Sequence, residues 1–361
     1  MPQDAPVTPA HIAELKTKLL DARSLFQSGL TERAVATKLN TEALVRLRRD
    51  SYVNGEFWDS ASLADRHLAA MLAVQRAAGS PRVFSHRSAA SLYGLPIWSA
   101  WMGRICGTPL DPASTKVVDI TSTAKRGTRS RSLRRHRGTL RPEDVEIVAG
   151  LSCTSPSRTV IDLACTEPFG IALACTDALL REMFTVNRLV DTQSWHEWQD
   201  ELITYTRRHA RRRGMAVTRA LATLADPRTD SPLESISRLR FHQLGIAVIP
   251  QVRIAAEHTG WLYLDFVLHE QGIFGECDGA MKYSDKQLLN YRTPAEVVLQ
   301  EKQRQDWAAG ESGMRGVRWG AKDVTTAAVF AERLRAFKVE VPGSPTLQFG
   351  RETAAFLLRL P

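Results

Sequence analysis

The chain has 361 residues, 43% hydrophobic and 24% charged. These values sit near the averages of folded globular proteins and exclude wholesale disorder, a collagen-like repeat and a disulfide scaffold. The net charge of +9 points to a polyanionic partner, and it is unevenly placed: residues 61–150 carry 14 basic against 6 acidic side chains, eight of the nine net charges.

No run of 18 apolar residues occurs, and the start, MPQDAPVTPAH, lacks a basic segment followed by an apolar one. Neither a membrane span nor a secretion signal is expected, so the default compartment is cytoplasmic. Residues 11–28 read as a helix, with Ile12, Leu15, Leu19, Leu20 and Phe26 apolar and Gly29 as its stop. In GLTERAVATKLNTEALVRLRRDSYV, Thr31 and Thr41 can each cap a short helix, the first turning Val35 and Leu39 inward and the second Leu44 and Leu47. A tight turn at Asn40, a second helix ending in Arg46, Arg48 and Arg49, and a strand-like Ser51-Tyr52-Val53 form a winged helix-turn-helix pattern over residues 1–60. The same spacing also suits an ordinary helical hairpin.

ASLADRHLAAMLAVQRA and FSHRSAASLYGLP are predicted helical, KVVDITS and VEIVAGLSCTS are strand candidates, and PSRTVIDLAC is a helix with Pro156 at its first position. Between the two strands KRGTRSRSLRRHR sets Lys125, Arg126, Arg129, Arg131, Arg134, Arg135 and Arg137 in thirteen residues without a carboxylate. That stretch is either a solvated loop or a phosphate-contacting one. Asp162 and Asp177 fall on amphipathic helices, where a carboxylate is solvated or paired. RRHARRR and ADPRTDSP place a break near residue 225, giving a mixed α/β middle domain at 61–225 with a helical linker and a third domain at 226–361. Five cysteines without a CxxC pair and nine histidines without HExxH argue against structural zinc.

After residue 230 the predicted order is αβββαβα. The two central strands are joined by His269, Glu270, Gln271 and Gly272, a common hairpin length. In the simplest register Leu268 faces Ile273 and Asp265 faces Glu276. Asp265, Glu276 and Asp278 then share one face, and Leu262, Leu264, Phe266 and Leu268 the other. Three carboxylates so placed repel one another, and a hard divalent cation, Mg²⁺ or Mn²⁺, offsets the repulsion while suiting phosphodiester hydrolysis. The alternative is that a bulge turns one of them outward, or that one pairs with Lys282 or Arg304. Glu234 follows Ser231-Pro232-Leu233 in a capping box, a duty complete in itself, though a first-turn glutamate can also reach the metal face if that helix packs on the hairpin.

The succession SPLESISRLRFHQLGI, WLYLDFVL, GECDGAMKY and EKQRQDW with Gly316-Val317-Arg318 resembles the nuclease-like domain of very-short-patch-repair (Vsr) endonucleases, within the PD-(D/E)XK restriction-endonuclease-like fold, over about the last 130 residues. The resemblance implies that Asp265 and Glu276 are metal-binding acids, that Glu234 is the first-helix acid, and that Arg304 and Asp306 are polar positions of the following helix. Asp278 stands where the wider superfamily has a lysine that orients the attacking water, and Lys282 is the candidate replacement. SGLTERAVATKLNTEALVRLRRDSYV, FSHRSAASLYGLP, DVEIVAGLSCTSPSRTVIDLA and TDALLR resemble the AbiEi-type antitoxins of type IV toxin–antitoxin systems over residues 25–182. That resemblance implies an operator-binding winged helix-turn-helix followed by a domain that opposes a nucleotidyltransferase-like toxin.

The expectation is an α+β multidomain protein with two functional readings. In the first it is a DNA-binding, Mg²⁺-dependent endonuclease of bacterial defence. Asp265, Glu276 and Asp278 hold the metal, Glu234 and Lys282 assist, and Arg46, Arg48, Arg49 and the arginine-rich stretch hold phosphates. In the second it is an antitoxin and transcriptional repressor whose nuclease-like domain does not cut. DNA is the partner in both, with the toxin or its operator added in the second. A homo-oligomer reading paired half-sites is compatible with either.

Overall fold

Pro9 at the first helical position, with the Thr8 hydroxyl accepting from His11 N–H, starts α1 (Pro9–Lys18) and buries Ile12 and Leu15. The computed structural model that begins with this helix describes residues 6–123, 131–278 and 294–361. Contacts divide the chain into two units, Met1–Ala100 with Pro109–Glu167, and Trp101–Thr108 with Pro168–Pro361. Both mix helices and sheets. Among the described residues no helix is long and apolar enough to cross a membrane.

In the first unit, residues 11–28 do not form the single helix expected. Leu20 instead exchanges backbone hydrogen bonds with Tyr52 (2.8 and 2.9 Å), and Asp21 caps α2 (Ala22–Gln27) in a reciprocal box with Ser24. Gly29, at φ +86°, ends that helix, and Thr31 caps α3 (Glu32–Asn40) as predicted. The second predicted helix, from Thr41, is absent. Its residues form β1 (Leu44–Arg48), antiparallel to β2 (Ser51–Asn54), with Val45 opposite Val53 and Arg46 opposite Tyr52. Val-Arg-Leu-Arg alternates with period two, and the β-branched and aromatic partners across the turn favour a pleated pair over a helix. Asp50 makes the turn at φ +57°, a conformation aspartate tolerates better than most residues.

The unit continues with α4 (Gly55–Ser60), α5 (Leu63–Arg76), β3 (Val83–Phe84), α6 (His86–Leu92) and α7 (Ala100–Ile105), the last belonging to the second unit from Trp101 onward. After β4 (Val118–Ser122), β5 (Leu133–Arg137), β6 (Val145–Val148) and β7 (Leu151–Thr154), α8 (Pro156–Thr166) closes it. VEIVAGLSCTS, expected as one strand, is the β6–β7 hairpin, because Ala149 and Gly150 both take positive φ and make a two-residue turn. The five strands lie in the order β5-β4-β3-β7-β6 over a core that includes Met71, Phe84, Leu92, Ile120 and Cys153.

The second unit opens with α9 (Phe169–Phe184), the small β8 (Thr185–Val186) and β9 (Leu189–Val190) pair, α10 (Thr192–Arg208) and α11 (Met215–Leu224). Then come α12 (Pro232–Leu244), β10 (Ile249–Ala255), β11 (Trp261–Leu268), β12 (Ile273–Asp278), α13 (Pro294–Ser312), β13 (Arg315–Gly320) and α14 (Ala327–Ala336), the expected αβββαβα order, with α15 (Gly350–Leu357) added. The sheet order is β10-β11-β12-β13, antiparallel except for the parallel β12–β13 pair, and Leu268 does face Ile273. One face carries Phe241, Phe266, Trp319 and Phe330, packed with ring centroids 4.9–6.0 Å apart. The other packs Leu264, Val267 and Phe274 on Ala308 of α13. Helices between residues 168 and 224, placed by composition in the middle domain, pack here: the buried Asp177 of α9 pairs with Arg238 of α12 (2.7 Å).

Candidate functional site

At the start of α12 the Ser231 hydroxyl accepts from Glu234 N–H (3.2 Å) and donates to Glu234 Oε1 (2.8 Å). Ser231 is thus the N-cap, but the expected capping box forms only in part, because the Glu234 carboxylate returns to the Ser231 hydroxyl and to Asp230 N–H rather than to the Ser231 backbone. Glu234 Oε2 accepts from Asp230 N–H (3.0 Å) and from the Gln251 amide (2.9 Å), and the side chain is 4% exposed. Burial, and after it the neighbouring Asp265 carboxylate, push the Glu234 carboxyl well above the usual carboxylate range. Gln251 holds this position from a strained backbone, φ +54°, with its Oε1 accepting from Arg188 Nη1 (3.0 Å).

Asp265 Oδ2 accepts from Cys277 N–H (2.7 Å). Regular pairing of β11 with β12 runs only from Leu268–Ile273 to Phe266–Gly275, so a side chain, rather than the backbone, makes the next rung. This corrects the expected faces. Leu262 and Leu264 pack on the α13 side, whereas Phe266 and Leu268 join the opposite core with Leu233 and Ile236 of α12. The alternation breaks where Asp265 turns to Cys277 and left-handed Gln251 lies across on β10.

Glu276, 5% exposed, is bridged by Arg304 of α13, one of the two pairings left open by the sequence. Asp278, at the end of β12, lies 3.4 Å from Arg318 Nη1, and Lys282 falls outside the described residues. Asp306 is exposed on α13. Cys277 sits among the acids: burial first, then Asp265, Glu234 and Glu276, raise its thiol far above the ordinary range. Glu234 and Asp265 thus meet beside Cys277, while Glu276, the next residue back along β12, turns to Arg304 on the α13 side, so the three do not share one face as placed. Among the described residues no three His, Cys, Asp or Glu side chains stand close enough as placed to share a metal ion. As a donor set, however, the acids offer only oxygen, the ligand type that Mg²⁺ and Mn²⁺ take, and their mutual repulsion is what a cation relieves. Gln251, Arg188 and Cys277 were not anticipated, and no local pattern announces a left-handed glutamine between Pro250 and Val252.

The basic residues divide by environment. Arg46 donates to the Tyr52 hydroxyl (3.3 Å) with its guanidinium 5.4 Å from that ring, and Arg49 is exposed at the hairpin turn. Arg48 is half-buried, its Nε without a hydrogen-bond partner, and burial followed by the charges of Arg135 and Arg82 holds its pKa below the usual value. All three lie on a β-hairpin and its turn, not on the expected helix. On α3, Arg33, Thr37 and Asn40 are exposed. Lys125, Arg126 and Arg129 fall outside the described residues, and Arg131 is exposed just ahead of β5. On β5, Arg134 (3.5 Å) and His136 (2.8 Å) turn to the buried Asp119, while Arg135 and Arg137 alternate to the opposite face.

FSHRSAASLYGLP and TSPSRTVIDLA also meet. His86, at φ +53°, stacks on His136 (ring centroids 3.4 Å), with Nδ1 2.9 Å from Ser85 Oγ and 3.7 Å from Asp162, which Arg158 holds at 2.9 Å. No family model, no curated protein and no solved structure matches the chain.

Proposed function

We propose that this chain is a DNA-binding protein of bacterial defence with a divalent-cation-dependent phosphodiesterase centre at Glu234, Asp265 and Glu276. The observation that carries the reading is the meeting of the buried Glu234 and Asp265 carboxylates beside Cys277, electrostatically unfavourable by itself, with Glu276 the next acid along β12. Mg²⁺ or Mn²⁺ held by Asp265 and Glu276 would supply a polarised phosphoryl oxygen and an acidified water. Asp278, half-buried at the strand end beside Arg318, is the third ligand or water-orienting group. The chain's own residues provide the positioning. The Cys277 N–H fixes Asp265, Ser231 and Gln251 fix Glu234, and Arg304 fixes Glu276 while placing a cation where a phosphate's charge needs one.

For DNA binding, α2, the turn through Gly29 and α3 supply a helix-turn-helix, and β1–β2 its wing. The helix offered to the groove is then α3, with Arg33, Thr37 and Asn40 outward, and Arg46 and Arg49 lie on the wing for phosphates. Incubation of the purified protein with supercoiled plasmid and Mg²⁺ or Mn²⁺ tests the catalytic part. Nicking is expected, and Asp265→Ala or Glu276→Ala should lower it by about 100-fold or more, the scale for removing a group that acts on the transition state. Absence of nicking with every divalent cation tried, or nicking that survives Asp265→Ala, overturns it.

The Arg304–Glu276 bridge occupies one of these acids and favours a second reading, an antitoxin and repressor whose nuclease-like domain does not cut. In that case the protein binds its own promoter and leaves plasmid intact, and a nucleotidyltransferase-like toxin is the expected partner.

A further inference from the structure

Three arginines of the first unit come from separate segments: Arg48 from the end of β1, Arg82 from the residue before β3, and Arg135 from β5. The last turn of α5 ties two of these segments together, and the sheet register brings the third. Arg76 Nη2 donates to Leu20 O (2.9 Å), Asp50 O (3.0 Å) and Ser51 Oγ (3.0 Å), pinning the β1–β2 turn to that helix. One residue earlier, Gln75 Oε1 accepts the Arg82 N–H (3.1 Å). From Arg82 the chain enters β3, and Phe84, Ile120 and Arg135 form one row across β3, β4 and β5. Arg135 therefore stands two strand spacings, about 10 Å, from β3, within reach of a long side chain.

Burial first, and after it the charges of Arg135 and Arg82, disfavour the charge on Arg48. Arg48 Nε is buried with no acceptor, and among the described residues none of the three takes part in an ion pair. Gathered cations with an unsatisfied donor are destabilising until an anion arrives, and guanidiniums present paired N–H groups that match phosphate oxygens. Arg46 and Arg49 continue the positive surface along the same hairpin and its turn, which suits a chain of phosphates better than an isolated ion.

We propose that Arg48, Arg82 and Arg135 form a clasp for one backbone phosphate of duplex DNA. The inference rests on the DNA-binding reading above and is independent of cleavage. The experiment is fluorescence anisotropy of the full-length protein with a random-sequence duplex of roughly 30 base pairs, in EDTA, at salt concentrations from roughly 50 to 200 mM. Arg48→Gln, Arg82→Gln and Arg135→Gln should each make the slope of log affinity against log salt shallower by about 0.9, which corresponds to about 3.5-fold less loss of affinity over that range. The double variant Arg82→Gln/Arg135→Gln should lose little more than either single one, because all three residues serve one phosphate. Arg82→Lys should keep the wild-type slope, and thermal melts identify any variant that fails to fold.

Wild-type slopes in both Arg82→Gln and Arg135→Gln overturn the clasp and leave the DNA-binding reading standing. A wild-type protein that binds no duplex overturns both. An effect of these substitutions on binding of single-stranded RNA or inorganic phosphate, without one on duplex, assigns the site to another anion and overturns the proposal as stated.

Discussion

Asp177 and Arg238 are 1% and 3% exposed at the side chain, and each is the other's counter-charge in the interior. Arg238 Nη2 meets both carboxylate oxygens (2.7 and 2.9 Å), its Nη1 donates to Leu224 O, and Asp177 also accepts from Asp226 N–H (2.9 Å). Asp177→Ala leaves a buried guanidinium without its counter-charge and should destabilise the second unit by about 3–5 kcal/mol, read as a fall in the urea midpoint. The double change Asp177→Leu with Arg238→Met should recover most of that loss, since a well-packed apolar pair replaces a buried ionic one at little net cost. Period and helix type identified Asp177 as a solvated or paired carboxylate, but its partner lies 61 residues away and no local pattern selects it. Glu234 was legible for a different reason. Its Ser231 cap is a local motif, and the structure adds Gln251 and Asp265, which only the folded chain brings near.

At the scale of elements, the strand that carries Glu276 depends on a residue with no side chain. Gly275 pairs with Phe266 on one side and Val317 on the other, and a Cβ there would stand 2.3 Å from the Trp319 ring. Trp319 is 1% exposed and packed among Phe241, Phe266 and Phe330, so it has little room to yield. Gly275→Ala should therefore cost about 1–3 kcal/mol by overpacking, seen as a lowered thermal midpoint, with Gly310→Ala, where nothing lies within 4 Å, as the tolerant control. The αβββαβα order and the Leu268–Ile273 register were legible because turn residues and period-two runs are local. The faces were not, because Asp265 replaces a backbone rung with a side-chain one. In the first unit Thr31 announced its helix correctly. Thr41 did not, since a capping residue only permits a helix, and the alternating Val45, Arg46, Leu47 and Arg48 found a partner strand across Asp50.

For the whole molecule, acid should be more damaging than the carboxylates alone suggest. Burial holds the pKa of His67 to about 4 and those of His86 and His242 to about 3. His86 faces Asp162, His136 and Arg158, with Asp119 and Arg134 behind His136, and the nearby acids do not outweigh its burial. These histidines are neutral when folded and take up protons near 6.5 when unfolded, so stability is complete above that value and falls as the pH drops from about 6.5 toward 4 for His67 and toward 3 for His86 and His242. Each contributes a loss of about 2 kcal/mol by pH 5, from 1.36 kcal/mol per unit of pKa difference. Urea midpoints at pH 7 and 5 measure the loss. His86→Asn, which tolerates the same positive φ and does not titrate, should remove its share of the dependence of the first unit and leave that of His67. One further consequence belongs to β5. Among the described residues it is an outer strand of its sheet, and such a strand offers unpaired N–H and C=O groups to any second copy that approaches. Arg134, Arg135 and Arg137 make two such edges repel, so the cations proposed to attract DNA also keep free copies of the protein from joining edge to edge. If DNA neutralises them as proposed, that guard should weaken, and light scattering should then show more self-association with duplex bound than without it.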